Sequence, residues 1–245
     1  MSIRQDEVTE EGIVIYTMPY KENDALITVF FQKYGKLTLL AKGVRKMKSK
    51  NAASCNPLTK AEFTFVLRSG ICRLVRATYL NAYLHLQESL QANAVALFFL
   101  EYLYRSTSDN VPNLKQYQFL EELLLTLNNG AIPQIVYMKI ISFILEDCGS
   151  SVFVDGCVIC ETKRNIVSIS VLDGGFICEN HYKMNMVHYR NDILDGFRKI
   201  CKIPITKIDQ LHFSSETTTV LLGIFEQFLN EYCHVRFFSK KFIKW

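Results

Sequence analysis

The stretch Ala25-Leu-Ile-Thr-Val-Phe-Phe-Gln-Lys-Tyr-Gly-Lys-Leu-Thr-Leu-Leu-Ala41 holds two runs of β-branched, aromatic and aliphatic residues on either side of Tyr34-Gly35-Lys36. Short runs broken by a glycine predict two strands joined by a hairpin turn. The pattern extends both ways: Gly12-Ile-Val-Ile-Tyr16 precedes it, while Ala61-Glu-Phe-Thr-Phe-Val-Leu67 and Cys72-Arg-Leu-Val-Arg-Ala-Thr78 follow, joined at Ser69-Gly70-Ile71. Five strands by about Leu80, with no helix-length apolar pattern among them, predict a small closed or partly closed β-barrel. The OB-fold is the commonest such answer, and an SH3-like barrel fits the strand count almost as well.

Beyond Leu80 the apolar period lengthens to three or four residues. Gln87 to Arg105 contains Leu90 and the unbroken run Ala94–Leu100, and Leu114 to Leu127 repeats at Tyr117, Leu120 and Leu124. A third helix starts near Pro133 and ends at Gly149, so three consecutive helices predict part of a bundle. The pattern resumes later. Asn191 reads as the N-cap of a helix stopped by Pro204, and Ser214 or Ser215 caps a last helix carrying Leu221, Phe225, Phe228 and Tyr232. The fold class expected is therefore α+β: an N-terminal domain over residues 1–80, then a helical domain over 81–245 interrupted at about 150–187.

That interruption carries Cys157-Val-Ile-Cys160 and Cys178-Glu-Asn-His181 on either side of a segment that alternates and breaks at Gly174-Gly175. Two x2 pairs around a hairpin describe a treble-clef-like zinc finger, because zinc accepts thiolate and imidazole and each short gap aims both ligands at one ion. Cys157, Cys160, Cys178 and His181 would fill the tetrahedral shell of a structural Zn2+, with His188 a weaker fourth ligand. Cys55, Cys72, Cys148, Cys201 and Cys233 read as buried free thiols.

The chain has 245 residues, 49% of them apolar, and a net charge of +4, so any polyanion site must come from local clustering. Lys33, Lys36, Lys42, Arg45, Lys46, Lys48 and Lys50 fall in one window without an acidic residue. Flexible point charges on an inter-strand loop suit phosphates better than base edges. Arg68, Arg73 and Arg76 extend the patch if they share a barrel face. Phe30, Phe31, Tyr34, Phe63 and Phe65 are candidates for stacking bases, although strand alternation sends most of them inward.

The opening Met1-Ser-Ile-Arg-Gln-Asp-Glu7 has no apolar leader and no run approaches a membrane span, which points to a reducing cytoplasm and no membrane partner. There is no P-loop, nucleophile elbow or H-E-x-x-H motif, so a non-enzymatic role is expected. Two rivals remain: a protein-interaction adaptor whose DNA contact is incidental, and a thiol enzyme using Cys178 and His181.

In order and in kind these features resemble the bacterial RecO family of recombination mediators. The likeness rests on Glu11-Gly-Ile-Val-Ile-Tyr16, Tyr34-Gly35-Lys36, Ala41-Lys-Gly-Val-Arg-Lys-Met-Lys-Ser-Lys50, Gly174-Gly-Phe-Ile-Cys178 and Phe238-Ser-Lys-Lys-Phe242. The resemblance implies an OB-fold followed by a helical domain carrying a zinc finger. It also implies binding of single- and double-stranded DNA, strand annealing, and partnership with RecR and the C-terminal tail of single-strand binding protein. RecA would be loaded indirectly, in a cytoplasmic protein that joins the nucleoid during repair. Lys42, Arg45, Lys46, Lys48 and Lys50 would match the family's DNA-contacting region, and Cys157, Cys160 and Cys178 its metal ligands. Here His181 stands where other members place a cysteine.

Overall fold

The structure, a computed structural model, describes residues 7–245; the stretch 1–6, on which the expectation of no apolar leader mainly rests, lies outside them. Alternating apolar residues form β1 (Glu7–Tyr20), β2 (Asp24–Phe31), β3 (Gly35–Ala41), β4 (Lys60–Val66) and β5 (Cys72–Asn81). The strands close into a barrel in the order β1-β2-β3-β5-β4, and β4 pairs back onto β1. All pairs are antiparallel except β3 with β5, which run parallel at Leu39↔Cys72. β1 serves two neighbours, facing β4 over Glu7–Ile13 and β2 over Gly12–Tyr20, with an irregularity between Val14 and Tyr16 where the strand bends. Gly12 makes that crossing possible. A Cβ there would lie 2.6 Å from Val29 Cγ1 and 2.8 Å from the Phe31 ring.

Inside the barrel Val14, Ile27, Val29, Leu39 and Leu74 surround Phe31, Phe63 and Phe65. Phe31 stands edge-on to Phe63 at 5.8 Å and tilted 5.0 Å from Phe65, with Tyr34 edge-on to Phe65. Each buried phenylalanine contributes roughly 1.5–3 kcal/mol. Of the aromatics expected as stacking candidates, Phe31, Phe63 and Phe65 are thus core residues and Tyr34 packs half-buried against them. Phe30, which points out of the barrel, is covered by Tyr117 at 6.2 Å.

The helices that follow are α1 (Leu84–Glu88), α2 (Leu90–Ser106) and α3 (Leu114–Asn128). Ser89 and Asn113 cap α2 and α3, their side chains accepting from the N–H groups of Ala92 and Gln116. Lys36 departs from its expected place on the charged surface. Only 8% exposed, it donates through Nζ to the carbonyls of Tyr104 and Thr107 at 2.8 and 2.7 Å and pairs with Asp109 at 3.2 Å. It therefore caps the C-terminal end of α2, where orphan carbonyls and the helix dipole both favour a cation.

The chain divides into two compact units, one reaching to Gly130 and adding Phe237–Lys244, the other comprising Ala131–Arg236 with Trp245. The bundle expected from three consecutive helices is accordingly split. α2 and α3 belong with the barrel, whereas α4 (Pro133–Asp147) belongs with α5 (Asn191–Lys202) and α6 (Ser215–Tyr232). In the second unit Phe197 of α5 packs 4.7 Å from Phe225 and 5.7 Å from Phe228 of α6. A three-stranded sheet completes that unit: β6 (Phe153–Cys157), β7 (Ile166–Ser170) and β8 (Gly175–Cys178), in the order β6-β8-β7. Among the described residues no helix is long and apolar enough to cross a membrane. Of the cysteines expected to be buried thiols, Cys148 is exposed and Cys201 half-buried, and Cys55, Cys72 and Cys233 are buried.

Candidate metal centre and nucleic-acid interface

β6 ends at Cys157 and the chain then turns sharply, the Glu161 N–H donating to the Cys157 carbonyl at 2.7 Å and the Cys157 N–H to the Thr162 carbonyl at 2.8 Å. Gly156 leaves room for that return, since a Cβ would sit 2.5 Å from the Glu161 oxygen. β8 ends at Cys178, and a single 3-10 turn over Glu179–His181 carries His181 back to it. The ligand atoms of Cys157, Cys160, Cys178 and His181 all lie within 4.8 Å of one another.

The distances within the cluster discriminate between chemistries. Cys160 Sγ and Cys178 Sγ are 3.7 Å apart, far beyond the ~2.05 Å of a disulfide. His181 Nδ1 lies 3.7 Å from Cys157 Sγ and 3.3 Å from Cys178 Sγ. Bonds of about 2.3 Å to sulfur and about 2.0 Å to nitrogen give tetrahedral edges of roughly 3.8 Å and 3.5 Å, so the four donors fit one tetrahedral ion. Burial raises the pKa of Cys157, but backbone N–H groups of Cys178, Ile159 and Cys160 outweigh it and bring the thiol down to about 6. A thiolate is the form a metal needs. His188 is elsewhere, its ring 5.8 Å from Tyr182.

The basic window forms the second candidate site. The loop after β3 is tied to the β1–β2 turn: the Gly43 N–H donates to Asp24 Oδ1 at 2.7 Å, the Arg45 N–H to the Asn23 carbonyl at 3.0 Å, and Arg45 Nη1 to the Glu22 carbonyl at 3.2 Å. Arg45 thus shapes the loop it charges. Lys42, Lys46, Lys48 and Lys50 are exposed along it, as are Arg68, Arg73 and Arg76. Lys42, Arg68 and Arg73 line one depression with Tyr20 and Ile71; Lys50 and Arg76 line another with Val75 and Tyr79.

Arg73 and Arg76 share the outside of the barrel for a reason alternation alone conceals. Three residues apart, they would face opposite sides of a regular strand. The β4–β5 register jumps from Phe65↔Leu74 to Thr64↔Arg76, which leaves Val75 as an extra residue and turns both Val75 and Arg76 outward. Neutralisation separates this surface from several of the other lysines, though not from the exposed Lys163, Lys183 and Lys207. Lys33 pairs with Glu10, Lys60 with Glu11 and Glu121, Lys199 with Asp195 and Lys202 with Asp155. Lys42, Lys46, Lys48, Lys50, Arg73 and Arg76 make no ion pair among the described residues. Tyr20 and Tyr79 lie beyond the strand ends expected at Tyr16 and Thr78, so alternation carried no expectation for either.

Comparison with known proteins covers the same ground. The family model "Recombination protein O N terminal" matches residues 1–83, and "Recombination protein O C terminal" matches residues 87–241. A DNA repair protein RecO from Bacillus cytotoxicus is 25% identical over 238 residues, covering 96% of this chain and 95% of the relative. One from an Exiguobacterium is 25% identical over 230 residues, 94% and 92% of the two chains. A third, from Bacillus mycoides, is 24% identical over 238 residues. With both family models matched in order along nearly the whole sequence, the chain belongs to the recombination protein O family, RecO.

Proposed function

We propose that this protein is a DNA repair and recombination mediator that binds DNA by its phosphates, anneals complementary strands and helps load RecA onto strands coated by single-strand binding protein. In this reading the barrel is an OB-fold that supplies the DNA-binding part over residues 1–80. Residues 81–245 carry a structural zinc finger at about 150–187 and the contacts to RecR and to the single-strand binding protein tail. The protein acts in the bacterial cytoplasm, at the nucleoid during repair. One observation carries this: Lys42 and Arg73 line one depression and Lys50 and Arg76 another, and all four are exposed without an ion pair among the described residues.

Annealing asks for no catalytic group. Two polyanions approach when cations replace their condensed counterions, and pairing between the bases does the rest. A metal shell filled by these four protein ligands would leave no position for water, so Cys157, Cys160, Cys178 and His181 would hold Zn2+ as a folding staple.

The test is affinity for single-stranded DNA against salt. With about four to six phosphates engaged, log K falls against log salt with a slope of roughly −3 to −4. Arg73→Ala and Arg76→Ala each flatten that slope by about 0.7. A slope near zero in the unmodified protein overturns the reading.

A further inference from the structure

We propose that Tyr20 and Tyr79 are base-stacking platforms, and that through them this surface takes strands with unpaired, accessible bases in preference to duplex. This rests on the phosphate-binding reading of the same surface and deepens it.

Among the barrel's aromatics these two differ in kind from the rest. Phe31, Phe63 and Phe65 fill the core, and Phe30 is covered by Tyr117. Tyr16, on the outside of β1, is taken by Tyr104 at 4.6 Å. Tyr20 and Tyr79 are 39% and 46% exposed and stack on no other ring among the described residues. Among the described residues, only the Lys21 ammonium, 5.5 Å from the Tyr20 centroid, leans over either one.

Their surroundings supply what a stacked nucleotide needs. Tyr20 shares its depression with Lys42, Arg68 and Arg73; Tyr79 shares its own with Lys50 and Arg76. Each ring therefore has cations beside it, so a phosphate held by the cations places the attached base over the ring. Ile71 in one depression and Val75 in the other are themselves 49% and 40% exposed, adding apolar surface that water solvates poorly. From Arg73 to Tyr79 along β5 is about 20 Å at ~3.3 Å per residue, a span within the ~4–16 nucleotides that one OB-type barrel covers. Every base has a π-face, so the contact is indifferent to sequence. In a duplex that face is already stacked, which is why the preference should be for open strands.

The experiment compares two probes of equal length and charge on the full chain: oligo(dT), and an abasic oligonucleotide with the same phosphates but no bases. Stacking contributes ~1–3 kcal/mol per base, so Tyr20→Ala and Tyr79→Ala should each weaken oligo(dT) binding by at least about 5-fold. Affinity for the abasic probe and the salt slope should stay as in the parent. Tyr20→Phe and Tyr79→Phe, which keep the ring, should bind oligo(dT) like the parent. Tyr→Leu variants keep apolar bulk without a ring and serve where an alanine variant melts early. Undiminished oligo(dT) binding by the ring-less variants overturns the proposal, as does an equal loss on both probes. If the unmodified protein binds neither probe in a salt-dependent way, the phosphate reading fails and the platforms fail with it.

Discussion

Lys36 sits in a sequence window whose every charged residue is a cation, and charge alone groups it with Lys42, Lys46 and Lys48. What separates them is where the backbone puts the amine. β3 runs beneath the end of α2, so the Lys36 ammonium meets the Tyr104 and Thr107 carbonyls rather than solvent, with the Tyr104 ring centroid 5.4 Å away. No local pattern in the residues around Lys36 announces a helix end almost seventy positions on, so this role was invisible before the fold. Lys36→Met removes charged hydrogen bonds from otherwise orphaned carbonyls and should cost about 2–4 kcal/mol of stability. Urea unfolding reads that loss. The salt slope of DNA binding should not change, and a slope flattened by about 0.7 would return Lys36 to the binding surface.

At the scale of elements, alternation and turn residues were enough to locate all five barrel strands and the β7–β8 hairpin. Both follow from side-chain chemistry that acts within a few residues. The bulge at Val75 and strand β6 were not legible. A bulge is decided by the partner strand's register, and Phe153-Val-Asp-Gly-Cys157 carries a glycine and an aspartate that weaken any strand signal. The convergence of Cys157, Cys160, Cys178 and His181 was legible because their spacing is itself the geometry, one turn for each pair. β6–β8 bury Val154, Ile169, Phe176 and Ile177, whereas Ile159 stays exposed and the 3-10 turn after Cys178 buries no residue, so the ion should supply much of the energy that holds the two ligand turns in place. Atomic absorption should find about one zinc per chain, lost in Cys160→Ser or after chelation. Amide exchange should then rise across residues 153–189 and stay unchanged in the barrel strands. A metal-free protein with equally protected β7 and β8 would refute the staple.

At the scale of the molecule, the first unit is discontinuous: the chain leaves it after Gly130 and returns at Phe237. Hydrophobic period reveals helices but not which helices share a core, which is why α3 and α4, separated by a short connection, belong to different units. The returning segment is fastened by Glu101 of α2. Its carboxylate accepts from the N–H groups of Phe238 and Ser239 at 2.9 and 2.7 Å, from the Ser239 hydroxyl at 2.6 Å and from Arg105 at 2.7 Å, while Phe237 stacks 4.4 Å from Phe98. Burial opposes the charged form of Glu101, yet the Ser239 hydroxyl, the two N–H groups and Arg105 prevail and hold its pKa below the usual carboxylate range. A proton thus binds the detached state more readily than the docked one. The stabilisation from this contact is present above the ordinary glutamate pKa of about 4.3 and is lost as pH falls through the lower folded value. Protection of residues 237–244 against amide exchange should accordingly be high at pH 6 and weakened near pH 3, after correction for the intrinsic exchange rate. Glu101→Gln, which accepts fewer and weaker hydrogen bonds, should expose the segment at both pH values and flatten the difference between them. The same pH response in the glutamine variant would mean that another carboxylate governs the fastening, whereas full protection at both values would mean that the Phe98–Phe237 stack suffices alone.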